Sequence, residues 1–459
     1  MDFKTQAKKV KPIEIIISVI FFILSSYIFY VYKIEPSLLL ILFIIIVFNN
    51  FIKDEKTISL LDFYLLTTFA ILVILIFSLF FGKNFLIPTI SFSLLTTALF
   101  SSFEFSLIFS IFVVLLEVAI IKESLVFGII LFSTSFISAL FSLSIRRRFQ
   151  IIKAALIGGM VYFFLFLFLQ PHPLVELTQI INFLKNCFVD SILASIIVIG
   201  ILPICELIFR VTTNISLLEL LDFNHPLLRR LILEAPGTYQ HSLVVANLSE
   251  AAAEAIGANM FLARVGAYYH DIGKILKPQF FVENIVGYKD AHKNLKPSMS
   301  KLIIINHIKD GVELAKKYHL NPKIIDFIAQ HHGRTLVYFF YQKAKELEPQ
   351  AGLEEEYRYP GPKPQSPEVA IVSLADTIEA LSRTLTEPTP SRIEEMVTEV
   401  VKRRFLEGEL DESKLTLKDL EKITQSFIRM LNALFHTRIN YPKNEDRNQK
   451  STKNKEAQP

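Results

Sequence analysis

Gly266-Ala-Tyr-Tyr-His270-Asp271-Ile-Gly273-Lys274 closes an apolar helical run and brings an imidazole and a carboxylate to one point of the chain. Together these groups suit a divalent metal, the neutral imidazole giving nitrogen and the carboxylate able to bridge two ions. A His-Asp pair alone is more often coincidence than a site, and the surrounding sequence changes that weighing. Of the ten histidines in the chain, His241, His270, His307, His331 and His332 fall at helix positions able to converge, and Asp376 adds a second carboxylate. One ion cannot use seven protein ligands. Two ions about 3.5–4 Å apart, bridged by a carboxylate and a hydroxide, form a clamp for in-line displacement at phosphorus. Mixed nitrogen and oxygen ligation favours two divalent transition-metal ions, manganese or iron, over structural zinc. Singly, each residue has a plainer reading. His307 is a core histidine beside an apolar stripe, His331-His332 caps the negative end of its helix, and Asp376 is an exposed helix position. Jointly, those readings leave a cluster of metal-type ligands unexplained.

The local pattern around these residues is helical throughout residues 237–437. Thr238 is read as the cap of a first helix that stops at Gly257, and Asn259 caps a second that runs to Gly273. A third begins near Ser298 with Leu302, Ile305, Ile308 and Val312 as its buried stripe. A fourth is delimited by Asn321, Pro322 and Gly333. Ser366-Pro367-Glu368 opens a fifth, a capping box Ser391-x-x-Glu394 a sixth, and a seventh covers roughly 416–437. With no competing strand signal, this half is all-α. His225, His292, His319 and His436 are taken as structural or surface residues, and His172 as a loop residue.

The other half is different in kind. The chain of 459 residues is 52% hydrophobic, its mean hydropathy is +0.43, and residues 13–210 hold most of the apolar content. A transmembrane helix needs roughly 20 mostly apolar residues. Spans are expected near 13–32, 36–52, 61–81, 86–103, 104–121, 124–144, 151–170 and 187–209, after a cytoplasmic tail 1–12. The first is read as an uncleaved signal anchor, since it is long and lacks a small-x-small cleavage site. Lys4, Lys8, Lys9 and Lys11 place the N-terminus inside, as Lys53 and Lys56, then Arg146, Arg147, Arg148 and Lys153, place the loops after the second and sixth spans. Two further crossings return residue 211 to the cytoplasm. Cys187 and Cys205 lie in the last span and read as packing residues. Glu117 and Asp190 also fall within spans, where an ionisable group serves either a ligand pocket or a buried hydrogen bond to a neighbouring helix.

Residues 211–236 read as a helical linker broken at Asn224-His225-Pro226 and closed by the turn residues Glu234-Ala-Pro236-Gly237. Arg229 and Arg230 there suit a solvated helix face first, or else anionic headgroups or a phosphate. The segment 341–366 is a long loop rich in proline, and residues 438–459 carry no apolar pattern and are read as a disordered tail. A net charge of +4 is too small to argue for a nucleic-acid polymer as partner.

Five stretches carry a resemblance: Tyr239-Gln-His241-Ser-Leu, Gly266 to Lys274, Gly311-Val-Glu-Leu-Ala, Ile324-Ile-Asp-Phe-Ile-Ala-Gln-His331-His332-Gly333 and Tyr359-Pro-Gly-Pro-Lys-Pro-Gln365. With these the chain resembles the HD-superfamily metal-dependent phosphohydrolases, and within them the bacterial seven-transmembrane HD phosphodiesterases. The resemblance implies a polytopic membrane bundle followed by a cytoplasmic all-helical HD domain in the bacterial plasma membrane. It implies hydrolysis of cyclic di-AMP to linear 5′-pApA by a bridging hydroxide. The family's metal ligands correspond to His241, His270, Asp271, His307, His331, His332 and Asp376. Asp271 corresponds to the bridging ligand, and Lys274 to a group assisting a phosphate or the leaving oxygen. Tyr357, Tyr359 and Arg334 are candidates for holding substrate, a tyrosine by stacking on adenine. One departure stands out: only Lys33-Ile-Glu-Pro-Ser37 separates the first two spans, where the family typically inserts a large extracytoplasmic domain. Partners expected are the cyclic dinucleotide and the bilayer, with a homo-oligomer left open.

Three other readings fit the sequence less well. A cyclic di-GMP hydrolase usually carries Gly-Tyr-Pro after the His-His element, whereas Gly333 is followed here by Arg-Thr-Leu. A silent nucleotide-binding receptor has no need of an intact ligand set. A transporter would show a broken-helix pair or a charged pathway in its spans.

Overall fold

The computed structural model describes residues 60–81, 86–100, 102–143, 145–169, 176–209, 211–285, 291–347 and 354–435. The expected tail 1–12, the first two spans, their basic flanks and connecting loop, His172, His436 and residues 438–459 lie outside the described residues. Two compact units divide the chain, Met1–Asp222 and Phe223–Pro459.

Among the described residues of the first unit, six apolar helices follow in order: α1 (Leu60–Phe81), α2 (Leu86–Phe100), α3 (Phe103–Ile121), α4 (Leu125–Ser142), α5 (Arg148–Leu169) and α6 (Leu177–Phe209). A short α7 (Asn214–Leu220) ends the unit. Among the described residues, α3 to α6 are long and apolar enough to cross a membrane, with mean hydropathy from 2.1 to 2.7. The boundary between α2 and α3 is set by Ser102, whose hydroxyl accepts from the Phe105 N–H; Ser124 caps α4 in the same way. α2 has only 15 residues, nearly all buried, and packs against α3, α4, α5 and α6, so it forms the centre of the bundle. α6 starts ten residues before the expected 187 and spans 33 residues, about 50 Å at 1.5 Å per residue. Large apolar side chains such as Leu79, Phe80, Phe168 and Leu207 face outward from the bundle, the surface a lipid environment accepts. Glu117 on α3 is fully buried and accepts a 2.6 Å hydrogen bond from the Thr89 hydroxyl on α2, the helix-to-helix bond of the two readings. Both cysteines are buried in the packing of α6.

The second unit is all helical among the described residues, with one isolated bridge between Leu336 and Arg358. Its helices are α8 (Pro226–Glu234), α9 (Pro236–Ile256), α10 (Met260–Tyr269), α11 (Pro297–Lys317), α12 (Pro322–Gln330), α13 (Tyr338–Leu347), α14 (Pro367–Ser382), α15 (Pro390–Leu406) and α16 (Leu417–Leu434). α9 is the central one, packed against α10, α14 and α16. α16 turns Leu420, Ile423, Phe427 and Leu431 inward, a spacing of three and four that keeps one stripe apolar.

Several local expectations need correction. Pro236 and Gly237 open α9 instead of closing a turn, and Thr238 lies inside that helix, where its hydroxyl donates to Glu283. α10 ends at Tyr269, not Gly273, and the chain continues as a 3₁₀ turn over Ile272–Leu276. The turn packs closely on α11: a Cβ at Gly273 would lie 1.8 Å from the His307 carbonyl oxygen. The buried face of α11 runs through Ser300, His307, Ile308, Gly311 and Leu314, while Leu302 is exposed, so the helix is rotated to turn His307 inward. Thr389, not Ser391, caps α15; the capping box belongs to α16, between Thr416 and Asp419. The long loop at 341–366 begins as helix α13.

Candidate metal centre

Five helices and the turn after α10 bring His241, His270, Asp271, His307, His331, His332 and Asp376 together. His241 comes from α9, His270 and Asp271 from the end of α10, His307 from α11, His331 and His332 from the end of α12, and Asp376 from α14. The seven fall into two groups, Asp271 with His307, His331 and His332, and His241 with His270 and Asp376, with the ligand atoms of each group within 4.8 Å of one another.

The two carboxylates straddle these groups. Asp271 Oδ2 lies 3.2 Å from His270 Nε2 and 3.7 Å from His241 Nε2, while Oδ1 lies 3.4 Å from His307 Nε2 and 3.7 Å from His331 Nε2. Asp376 does the same from the other side, Oδ1 3.0 Å from His241 Nε2 and Oδ2 3.6 Å from His332 Nδ1. Asp271 was the only bridging carboxylate expected from the family; the geometry puts Asp376 across both groups as well.

The imidazoles are held so that a nitrogen lone pair faces inward. His270, His307 and His331 donate Nδ1–H to the carbonyls of Ala267, Ile304 and Phe327, at 2.6, 2.5 and 2.9 Å. That fixes the tautomer with Nε2 as acceptor. His241 Nδ1 instead meets the Glu379 carboxylate at 2.5 Å.

The charge pattern suits cations. Burial keeps His307 and His332 neutral by lowering their pKa values, and pushes His331 down to about 3. Asp271 is opposed by burial, yet the Lys274 ammonium and the His270 ring hold it well below the usual carboxylate range. Asp376 is likewise held down against burial by its histidine neighbours, His241 first. His241 is the exception: burial lowers it, but the flanking Asp376 and Glu379 carboxylates prevail and raise it to about 10. Inside this cluster, His241 Nε2, His270 Nε2 and Asp271 Oδ1 are buried without hydrogen-bond partners. Buried polar atoms of that kind are rare in native structures unless an ion or water completes them. His241 Nε2 and His270 Nε2 belong to one group and Asp271 Oδ1 faces the other, and nitrogen and carboxylate donors of this kind fit divalent metals.

Lys274 sits at the edge of the cluster, Nζ 2.7 Å from Asp271 Oδ2 and 2.8 Å from Glu283 Oε1, beside the Phe281 ring. These carboxylates outweigh burial and keep the lysine charged. The substrate candidates are placed differently. Tyr359 is buried and stacks on His332, ring centroids 4.3 Å apart. Tyr357 is packed in a small core with Ile308, Val337 and Phe340, under Lys301. The Arg334 guanidinium pairs with Glu355, and its backbone N–H donates to Glu409. The segment 354–365 does fold back over the site, since Val337 N–H donates to Tyr357 O and Tyr359 N–H to Thr335 O. Tyr359 lies against the His332 ring and Tyr357 within the small core.

Two acidic residues with direct roles in this geometry escaped the sequence reading. Glu379 follows Asp376 by three residues, so it shares a face of α14. That spacing was the available signal. Glu283 had none, because only the folded turn brings it to Lys274 and Thr238.

Comparison with known proteins gives a consistent picture. The family described as "HD domain" matches residues 238–381, and the family described as "7TM receptor with intracellular HD hydrolase" matches residues 13–213. The chain is 42% identical over 303 residues to the cyclic-di-AMP phosphodiesterase PgpH of Listeria monocytogenes, covering 66% of this chain and 42% of the relative. It is 48% identical over 254 residues to the PgpH of Bacillus subtilis, covering 55% of this chain and 36% of the relative. The chain thus spans less than half the length of these curated relatives. The crystal structure of the L. monocytogenes PgpH HD domain in complex with cyclic-di-AMP matches with 48% identity and a TM-score of 0.45, over 47% of this chain and 100% of that one.

Proposed function

We propose that this chain, whose two halves match the HD-domain family and the family of 7TM receptors with an intracellular HD hydrolase, is a membrane-anchored, metal-dependent phosphodiesterase that opens cyclic di-AMP to linear 5′-pApA. The observation that carries this reading is the convergence of seven side chains, with Asp271 and Asp376 each reaching both imidazole groups. The 42% and 48% identical relatives, both named as cyclic-di-AMP phosphodiesterases, support the substrate.

When bound, two divalent ions, manganese or iron, would supply a deprotonated water at neutral pH and neutralise charge on the phosphate. The protein's own work is to hold charge and exclude water. His270, His307 and His331 present lone pairs already oriented by their backbone bonds, so little reorganisation is needed. Lys274 holds a buried positive charge beside Asp271, where it would take a phosphate oxygen or the leaving oxygen. Tyr359 covers the His332 ring and closes that side of the site. Arg146 and Arg147 in the loop between α4 and α5, with Arg148 and Lys153 at the start of α5, support a cytoplasmic position for that loop, and crossings by α5 and α6 would then return the chain to that side. The HD unit would face the nucleotide pool.

The test is direct. The purified full chain in detergent micelles, with manganese, is given cyclic di-AMP and cyclic di-GMP, and the products are separated by chromatography. The account expects 5′-pApA from the first, slow or no turnover of the second, and no product with Asp271→Ala. Turnover retained by Asp271→Ala would remove the proposal.

A further inference from the structure

His241 differs from the other imidazoles that present Nε2. His270, His307 and His331 each lean on a carbonyl three or four residues back, while His241 leans on Glu379, 138 residues away on α14. The ring is gripped from both edges by one helix, with Asp376 Oδ1 3.0 Å from Nε2 and Glu379 Oε2 2.5 Å from Nδ1. Glu379 is itself buried, 2% exposed. Its other oxygen, Oε1, takes two bonds from Arg383, Nε and Nη2 each at 2.5 Å. A buried carboxylate held on both oxygens is a rigid partner, compensated by the guanidinium. Arg383 is half exposed and reaches the surface.

We propose that Glu379, fixed by Arg383, is a positioning residue that sets the tautomer and orientation of His241 and thereby the affinity of one metal position, the His241–His270–Asp376 group, but not of the other. The proposal rests on the reading that the cluster holds two ions. Its physical basis is that a carboxylate on the far nitrogen makes a ligating imidazole more basic and locks its ring; loss of such a partner typically weakens metal binding on the order of 10- to 100-fold. In the Asp271–His307–His331–His332 group, the His307 and His331 rings are oriented by backbone carbonyls instead.

The experiment measures manganese affinity by chelator competition on the full chain in detergent, for wild type, Glu379→Ala, Glu379→Gln and Arg383→Ala. Wild type is expected to bind two ions. Glu379→Ala should bind one as wild type does and the other 10- to 100-fold more weakly. Glu379→Gln, which keeps an acceptor for Nδ1–H, should lose less, and Arg383→Ala should fall between wild type and Glu379→Ala. Turnover by Glu379→Ala should be low at limiting manganese and recover at excess, with KM for cyclic di-AMP little changed. Two ions bound with wild-type affinity by Glu379→Ala overturns the proposal and leaves the phosphodiesterase reading standing. Equal weakening of both ions by the milder Glu379→Gln also overturns it. A wild-type chain that binds no ions removes both.

Discussion

Lys274 places its ammonium 2.7 Å from Asp271 Oδ2, on the oxygen that faces His241 and His270. The same ammonium lies 2.8 Å from Glu283 Oε1, so a buried cation is shared between two carboxylates at the rim of the metal cluster. This arrangement holds a positive charge where a phosphate would arrive without making lysine a metal ligand. Lys274→Met should therefore keep both ions and lower kcat by about 10²–10³-fold, the loss seen when one preorganised electrostatic donor is removed. Steady-state kinetics and metal content on the same preparation check it. A kcat within about twofold of wild type would show that the lysine serves the fold alone.

Gly273 gives a second prediction. A methyl group there would meet the His307 carbonyl at 1.8 Å and the Gly311 nitrogen at 2.6 Å, both rigid backbone. Gly273→Ala should cost about 1–3 kcal/mol of stability and shift α11, with His307, out of register with Asp271. Thermal melting and turnover should both fall. A variant as active as wild type would contradict the packing described.

Tyr359 and Tyr357 are 7% and 6% exposed, so each is expected to matter for stability before it matters for substrate. Removing either ring should cost about 3–5 kcal/mol. Tyr359→Phe keeps the stack on His332 and should retain turnover, while Tyr359→Ala leaves that ring uncovered and should lose it. Melting temperatures near wild type for both alanine variants, with KM for cyclic di-AMP raised tenfold or more, would contradict this and favour the adenine-stacking role.

The pH dependence of the metal-free protein follows from the histidines. His331 is pushed down to about 3 by burial, against about 6.5 in an unfolded chain. The unfolded state takes the proton first as pH falls, so its contribution to stability is lost from about pH 6.5 toward 3. Asp271 and Asp376, both held low, add losses in the same direction below about pH 4. His241 has the opposite sign: raised to about 10, it stabilises below about pH 6.5 and loses that contribution as pH rises through 10. Chelator-stripped protein should therefore melt highest near neutrality and progressively lower on either side. A flat melting temperature between pH 8 and 4 would contradict these assignments.

The sequence exposed different layers of the structure unequally. The start of α12 was legible to the residue because Asn321 caps it and Pro322 opens it, while its end falls at Gln330, short of the turn that Gly333 marks, with His331 and His332 just beyond. The seven residues that meet were nameable because histidines are few and metal-type ligands are chemically distinctive. Glutamates are common and their roles depend on what the fold brings near, so Glu379 and Glu283 gave no comparable signal. The apolar stripe of α11 was misjudged because Leu302 is exposed while small Gly311 and polar Ser300 are buried to admit close packing. α13 was hidden in a segment whose later prolines suggested a loop throughout.

The central claim is that this chain holds two divalent ions between its imidazole groups, and counting the ions does most to test it. Full-length protein purified in detergent with manganese supplied, then measured by inductively coupled plasma mass spectrometry, should carry two ions per chain, with the Asp271→Ala variant losing both. A wild-type count of one or none, or an unchanged count in Asp271→Ala, would contradict it.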